Sequence, residues 1–151
     1  MDNSLSFANK ETIIGLWANF ILVDVGVDNS VIFFHPDGTG FIHYIQIDYE
    51  IIEIFRWFME NQDLNVSGQG EFSTDNGVLK RVGQSNVNVT NIKVHLTKRM
   101  SRHGVEVNAI QFTKPLDWTC DENDVFGLWY KHTDEKYQLY LEGIRESISK
   151  T

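Results

Sequence analysis

Cysteine, proline and long apolar segments are scarce in this 151-residue sequence. Its single cysteine, Cys120, excludes an internal disulfide and fits a reducing compartment. Its two prolines exclude a collagen-like repeat and a proline-rich disordered chain. No segment approaches about 18 consecutive apolar residues, so we expect no transmembrane helix. Residues 1–5 contain neither a basic nor an apolar stretch, so we expect no signal peptide and a cytoplasmic location.

Catalytic and metal-binding motifs are also lacking. The sequence contains no Gly-x-Ser-x-Gly motif, no phosphate-binding glycine loop and no His-Glu-x-x-His motif. The five histidines are not paired at metal-ligand spacing within any one predicted element. Acidic residues follow Cys120 directly and oppose formation of its thiolate. We therefore predict a protein that is not an enzyme, with no metal site and no cofactor.

Basic residues are scarce outside one segment of the chain. The net charge is −8, from 13 basic and 21 acidic residues. Residues 1–75 carry two basic and 12 acidic side chains, whereas residues 76–114 carry seven basic and one acidic. This balance disfavours binding to nucleic acid and to anionic membranes. It is typical either of a solvated acidic surface or of an acidic face for a cationic partner.

The middle of the chain has the pattern of β-strands. Residues 30–49 predict a β-hairpin, because two apolar runs flank the turn signal Asp37-Gly38. Residues 50–60 fit a strand better than a helix. A helix over this segment would be apolar on nearly all sides, and the segment is rich in the β-branched and aromatic residues that favour strands. Further short strands are predicted at 62–66, 71–73, 78–82, 105–112 and 125–132.

Residues 86–98 form a long predicted strand with an irregularity. Val87 and Val89 have odd numbers, whereas Ile92 and Val94 have even numbers. A one-residue change of phase within a strand predicts a β-bulge, here near Thr90-Asn91.

The last part of the sequence changes to helical spacing. Five apolar residues with helical spacing follow the acidic pair Asp134-Glu135: Tyr137, Tyr140, Leu141, Ile144 and Ile148. We predict an amphipathic C-terminal helix over 134–148 that packs on the sheet. With about eight short strands over 12–132, the whole chain predicts one mainly β domain. Its expected fold is an antiparallel barrel or β-sandwich with a C-terminal helix.

Two motifs near the N-terminus resemble those of the lipocalin-like (calycin) proteins. Gly15-Leu16-Trp17 lies on an early strand, and a hairpin built on Phe34-His-Pro-Asp-Gly-Thr-Gly40 follows. The resemblance covers about residues 12–60. It implies an eight-stranded antiparallel barrel with Trp17 at one end and a small-ligand binding role. Family members often stack a basic residue on this tryptophan, and Lys131 is the nearest but a poor match.

The alternative functional prediction is binding of a small apolar or carboxylated ligand inside such a barrel. Arg56 is predicted to share a strand face with Ile52, Ile54 and Phe58, and an arginine inside a barrel can bind a carboxylate through two hydrogen bonds. The other interpretation is an arginine at a strand end whose charged group reaches water. The candidate ligand-binding residues are Arg56, Trp57 and Tyr44.

The preferred functional prediction is an acidic inhibitor or immunity protein that binds and neutralises a basic toxin or a similar cationic protein. Toxic nucleases are often basic because they bind phosphates, and carboxylates on an inhibitor complement that charge. Two acidic segments, 48–53 and 117–124, are the candidate contact regions. The candidate partner-binding residues are Asp48, Glu50, Glu53, Asp117, Asp121, Glu122 and Asp124.

Overall fold

The computed structural model describes residues 6–24, 26, 28–75, 77–116 and 124–150. In these ranges the chain forms eleven β-strands, a short 3-10 helix (Asn19–Ile21) and one α-helix. The strands are β1 (Ser6–Phe7), β2 (Gly15–Ala18), β3 (Asn29–Phe34), β4 (Thr39–Ile45), β5 (Glu50–Glu60), β6 (Asp63–Asp75), β7 (Val78–Gly83), β8 (Asn88–Ile92), β9 (Val94–Met100), β10 (Glu106–Phe112) and β11 (Phe126–Tyr130). The α-helix, α1, is Glu135–Ser149.

The strands form one curled antiparallel sheet. Their order is β1-β9-β10-β11-β2-β3-β4-β5-β6-β7. In addition β8 pairs with β6, and only Lys93 separates β8 from β9 near the other end of the order. The sheet is therefore barrel-like, and the predicted mainly β antiparallel fold with a C-terminal helix is confirmed. The expected number of eight strands is too low. The sequence does not predict β1, and residues 86–98 form two strands, β8 and β9, rather than one.

The predicted hairpin over 30–49 is present as β3 and β4, but β4 is shorter than expected. In the first turn, Asp37 Oδ1 accepts hydrogen bonds from the backbone N–H of Thr39 (2.9 Å) and from its hydroxyl (2.5 Å). Gly38 adopts a φ of 87°, which favours glycine. β4 ends at Ile45, and the Gln46 N–H then donates to the Tyr49 carbonyl (2.9 Å) to close a second turn. Residues 46–49 therefore form a loop rather than the end of a strand.

β6 is one strand of 13 residues where the sequence predicted two. The polar and glycine-rich residues 67–70 stay paired with β5, and a register shift between Ile54 and Phe55 absorbs the irregularity. Gly68 permits a close approach of the segment that leads to β8. A Cβ at this position would lie 2.6 Å from the backbone oxygen of Ser85.

The predicted irregularity within residues 86–98 is confirmed. Asn91 has a φ of 53°, and the pairing of β8 with β6 shifts register between Leu64 and Val66. Because of this shift, Val89 on one side of the irregularity and Val94 on the other both belong to the same buried cluster.

The core has two layers on opposite faces of the sheet. We call one layer the interior cluster; it includes Phe34 on β3 and Phe112 on β10. The ring centroids of these two residues are 6.3 Å apart although two strands lie between β3 and β10 in the sheet. The sheet therefore curls around the interior cluster, which lies on its concave face. Trp17 belongs to this cluster and is buried as expected, with its Nε1–H donating to the Ile13 carbonyl (2.8 Å).

The second layer lies between the convex face and α1. The predicted helix over 134–148 is observed as Glu135–Ser149, and it buries Tyr137, Leu141 and Ile144. Together with sheet residues such as Phe33 and Phe41, these side chains form a second buried cluster, which we call the helix cluster. The predicted packing of the helix on the sheet is thus confirmed. None of the helical segments in the described ranges combines the length and apolar character that a membrane span requires.

Candidate functional site

The predicted partner-binding carboxylates have different environments. Asp48 is exposed in the loop between β4 and β5. Glu50 is half-buried and accepts a hydrogen bond from His43. Asp124 is also half-buried. Asp117, Asp121 and Glu122 lie outside the residues that the structure describes, as does Cys120. Of the two predicted acidic segments, only 48–53 is described in full.

Glu53 is fully buried, so the expectation that it contacts a partner at the surface is wrong. It lies directly opposite Ile42, a member of the interior cluster, and therefore faces the concave side of the sheet. Its Oε1 accepts a hydrogen bond from the Ser85 hydroxyl (3.0 Å), whose oxygen in turn accepts from the Val87 N–H (3.2 Å). Its Oε2 has no hydrogen-bond partner among the residues that the structure describes. Sequence reasoning missed this buried carboxylate because it placed the even-numbered residues of β5 inside.

The candidate ligand-binding residues Arg56, Trp57 and Tyr44 are not brought together. Arg56 is exposed, and the alternation along β5 places it on the face opposite Trp57. The prediction that Arg56 faces the interior is therefore wrong. Trp57 is buried there and donates from Nε1 to the carbonyls of His35 (3.1 Å) and Thr39 (3.0 Å). Tyr44 lies near the other end of β4, where its hydroxyl donates to Asp28 (3.3 Å).

Aromatic side chains occupy the concave side at the level of Trp57. The ring centroid of Phe34 lies 5.4 Å from that of Trp57 and 5.6 Å from that of Phe55. Phe112 and Phe126 form a further pair at 6.0 Å. Rings at these separations are in packing contact and fill the space between them. This filling disfavours an interior ligand beside Trp57.

Four exposed residues form a small surface at the end of the sheet where β4 leads to β5, which we call the loop-end surface: Asp28, Ile47, Asp48 and Tyr49. The segment before β3 and the segment after β4 leave the sheet together, because Asn29 pairs with Ile45. Asp28 accepts hydrogen bonds from the side chains of Tyr44 and Gln46. Ile47 is 76% exposed. Ile47 is flanked in the chain by Gln46, whose side chain contacts Asp28, and by Asp48, so the surface combines an exposed apolar side chain with two carboxylates.

Two tyrosines of α1 each contact a histidine of the sheet. His43 Nδ1 lies 2.5 Å from the Tyr140 hydroxyl. Its Nε2 lies 2.6 Å from Glu50 and donates to it, because an ionised carboxylate can only accept. In parallel, His35 Nδ1 lies 2.9 Å from the Tyr137 hydroxyl. The two tyrosines lie one turn apart on the helix. His35 directly follows β3 and His43 lies within β4, so the two contacts hold α1 at two separate points of the β3–β4 hairpin.

The protonation behaviour of these groups follows from their surroundings. The hydrogen bond from His43 lowers the pKa of Glu50. Burial lowers the pKa of His35 and raises the pKa of both Tyr137 and Tyr140. The tyrosines are therefore held in the neutral form that can donate a hydrogen bond. Sequence reasoning missed both contacts, because the histidines and tyrosines lie about 100 residues apart and no periodicity relates them.

Within the described ranges, no group of three or more His, Cys, Asp or Glu side chains is arranged to hold a metal ion. Comparisons with models of protein families, with curated proteins and with solved structures found no match. No family match therefore supports the resemblance to the lipocalin-like proteins specifically. The structure supports its coarser part, a curled antiparallel sheet with the shape of a partial barrel.

Proposed function

We propose that this protein is a non-enzymatic binding protein that neutralises a basic protein, such as a toxin, through the loop-end surface. The observation that carries the proposal is the exposure of Ile47, which is 76%, on a surface that also exposes Asp28 and Asp48. Burial of an exposed branched apolar side chain by a partner contributes favourable free energy to binding. Carboxylates around the anchor favour a partner that carries lysine and arginine.

The loop-end surface is also held in place before any partner binds. The Asp28 carbonyl accepts a hydrogen bond from the Asn19 side chain (2.9 Å), and the Asn19 Oδ1 accepts from the Ser30 N–H (3.0 Å). The 46–49 turn is closed by its own backbone hydrogen bond. A surface that is ordered in the free protein loses less conformational entropy on binding, which favours tight association.

The charge of the chain supports a basic partner. The chain carries a net charge of −8, and its first 75 residues contain 12 of the 21 acidic side chains. Such a field raises the rate of encounter with a cationic protein and opposes an acidic one. The alternative of a ligand inside the barrel has less support, because Arg56 is exposed and aromatic rings fill the space beside Trp57.

The test uses the native partner, isolated from the source organism on immobilised protein, and two pairs of matched variants. Asp48→Lys and Ile47→Ser alter the loop-end surface, whereas Glu60→Lys and Phe58→Ser make the same types of change at the other end of β5. All four side chains are exposed, so we expect every variant to fold. We expect Asp48→Lys to slow association and Ile47→Ser to weaken binding by about 2 kcal/mol.

The two variants at the far end of β5 show whether a loss of binding is specific to the loop-end surface. Glu60→Lys and Phe58→Ser should leave the dissociation constant within about twofold of the wild-type value. Equal losses at both ends of β5, or an acidic partner, would contradict the proposal.

A further inference from the structure

A groove of about 320 Å³ lies between the C-terminal half of α1 and the β3–β4 hairpin. Three apolar side chains of the sheet line it, Phe33, Phe41 and Ile54. Three apolar side chains of the helix line the opposite side, Leu141, Ile144 and Ile148. Pockets that bind small molecules start at about 300 Å³ and are lined mainly by such side chains. The groove therefore has the size and the lining of a small-ligand site.

Of the described residues that line this groove, Arg145 alone carries a basic side chain. It is exposed, and in the described part of the chain its guanidinium makes neither a hydrogen bond nor an ion pair within contact distance. A guanidinium presents five N–H donors in a planar arrangement that matches a carboxylate. At the edge of an apolar groove it is therefore placed to bind an anionic group.

Asp37, at the same groove, limits the charge that a ligand can carry. Its Oδ1 already accepts two hydrogen bonds from Thr39, and Arg145 contributes to lowering its pKa, so the carboxyl stays ionised. A negative charge beside Arg145 repels a doubly charged phosphate more strongly than a singly charged carboxylate.

We propose that this groove binds an amphipathic monocarboxylate, with the apolar chain against Ile54 and Ile148 and the carboxylate on Arg145. The groove lies beside the β3–β4 turn, at the opposite end of β4 from the loop-end surface. Binding here is therefore independent of the basic partner proposed above, and either proposal can fail while the other stands.

Titration calorimetry with decanoate tests the proposal on the full chain. Wild-type protein should bind one decanoate, and decylamine, which carries the opposite charge, should bind at least about tenfold more weakly. Arg145→Gln should weaken decanoate binding about tenfold or more, because a charge-assisted hydrogen bond to the ligand is lost. It should leave the binding of uncharged decanol unchanged.

Two control variants separate the groove from the rest of the surface. Arg102→Gln removes an exposed arginine in the turn after β9, which does not line the groove, and should leave decanoate affinity unchanged. Ile148→Ser should weaken decanoate and decanol alike, whereas Leu139→Ser, which alters an exposed leucine of the same helix, should affect neither. Amide resonances of Thr39, Gly40 and Ser149 should shift on titration with decanoate.

Three results would overturn the proposal. One is an absence of saturable decanoate binding to the wild-type protein. Another is equal affinity of wild type and Arg145→Gln for decanoate. The third is a set of shifted resonances confined to the concave side of the sheet or to the loop-end surface.

Discussion

Trp17 is 1% exposed and contributes both volume and a hydrogen bond to the interior cluster. Trp17→Ala should lower the free energy of unfolding by about 3–5 kcal/mol, because it leaves a large cavity and an unpaired Ile13 carbonyl. Urea denaturation of wild type and variant measures the difference. Phe58→Ala, at an exposed aromatic residue, should change stability by about 0.5 kcal/mol or less. Coincident curves for wild type and Trp17→Ala would show that the cluster does not depend on this side chain.

Glu50 makes the stability of the helix attachment depend on pH. Its pKa is lowered from the ordinary value of 4.5, chiefly by the hydrogen bond from His43. A carboxyl whose pKa is lower in the folded state stabilises the fold above its unfolded pKa, and this contribution disappears as pH falls through the folded pKa. Glu50→Gln should therefore cost about 1 kcal/mol at pH 7, a value reduced by solvent screening, and little at pH 3.

Urea denaturation at a series of pH values between 7 and 3 measures this dependence. Asp48→Asn is the control, because its exposed carboxylate forms no hydrogen bond in the described structure. An equal loss of stability for Glu50→Gln at pH 7 and pH 3 would contradict the role assigned to the His43 contact.

The sequence predicts that Glu53 is at the surface and that Arg56 faces the interior, whereas the structure buries Glu53 and exposes Arg56. A strand with one buried face reveals its orientation through alternating hydrophobicity, but the first part of β5 is buried on both faces. Ile52 contacts the helix cluster while Phe55 lies in the interior cluster. The apolar pattern therefore does not identify which face is concave, and the candidate ligand arginine was assigned to the wrong side.

At the scale of elements, α1 contains one residue that weakens it without any packing role. Gly143 lies within the helix, and a Cβ at this position would meet nothing within 4 Å. Gly143→Ala should raise the free energy of unfolding by about 0.5–1 kcal/mol, since glycine has the larger entropy to lose in a helix. Thermal denaturation measures the effect, and a lower melting temperature would show that the helix tolerates no side chain there.

Gly68 in β6 provides the opposite case. A Cβ there would lie 2.6 Å from the backbone oxygen of Ser85 and 2.7 Å from its Cβ, so the segment before β8 must move. Gly68→Ala should destabilise the protein by about 1–3 kcal/mol. It should also disturb the Ser85–Glu53 hydrogen bond, which amide exchange at Val87 reports. A stability equal to that of wild type would mean that the segment adapts without cost.

The elements that sequence predicts well are those with one clear period. The 3.6-residue spacing of α1 and the paired apolar runs of β3 and β4 gave correct positions to within a few residues. β6 was divided in the prediction because residues 67–70 are polar or glycine, yet backbone pairing with β5 does not require apolar side chains. The contacts of His35 and His43 with α1 depend on the final packing of distant segments, which no local pattern encodes.

At the scale of the whole molecule, the uneven charge predicts how the proposed partner associates. The loop-end surface carries Asp28 and Asp48, whereas the end of β9 carries Arg99 and the turn after it carries Arg102. The Arg102 N–H donates to the Ile21 carbonyl (3.0 Å), so this basic turn packs against the 3-10 helix. Asn19 of the same helix donates to the Asp28 carbonyl (2.9 Å), so the acidic and the basic groups both lie next to this helix. Their side chains are exposed and can be altered separately.

A basic partner should associate more slowly as ionic strength rises from tens of millimolar to about 0.15 M, where the Debye length falls to about 8 Å. Dissociation should change little, because charges at the edge of an interface act mainly on the rate of encounter.

Asp48→Lys should slow association at low salt and flatten its salt dependence. Reversing the charges of Lys98, Arg99 and Arg102 together should not slow association, because these side chains repel a cationic protein. Stopped-flow measurements at several salt concentrations compare the variants. A flat response of the wild type, or a greater loss on reversing the basic turn, would mean that the acidic loop-end surface is not where the partner binds.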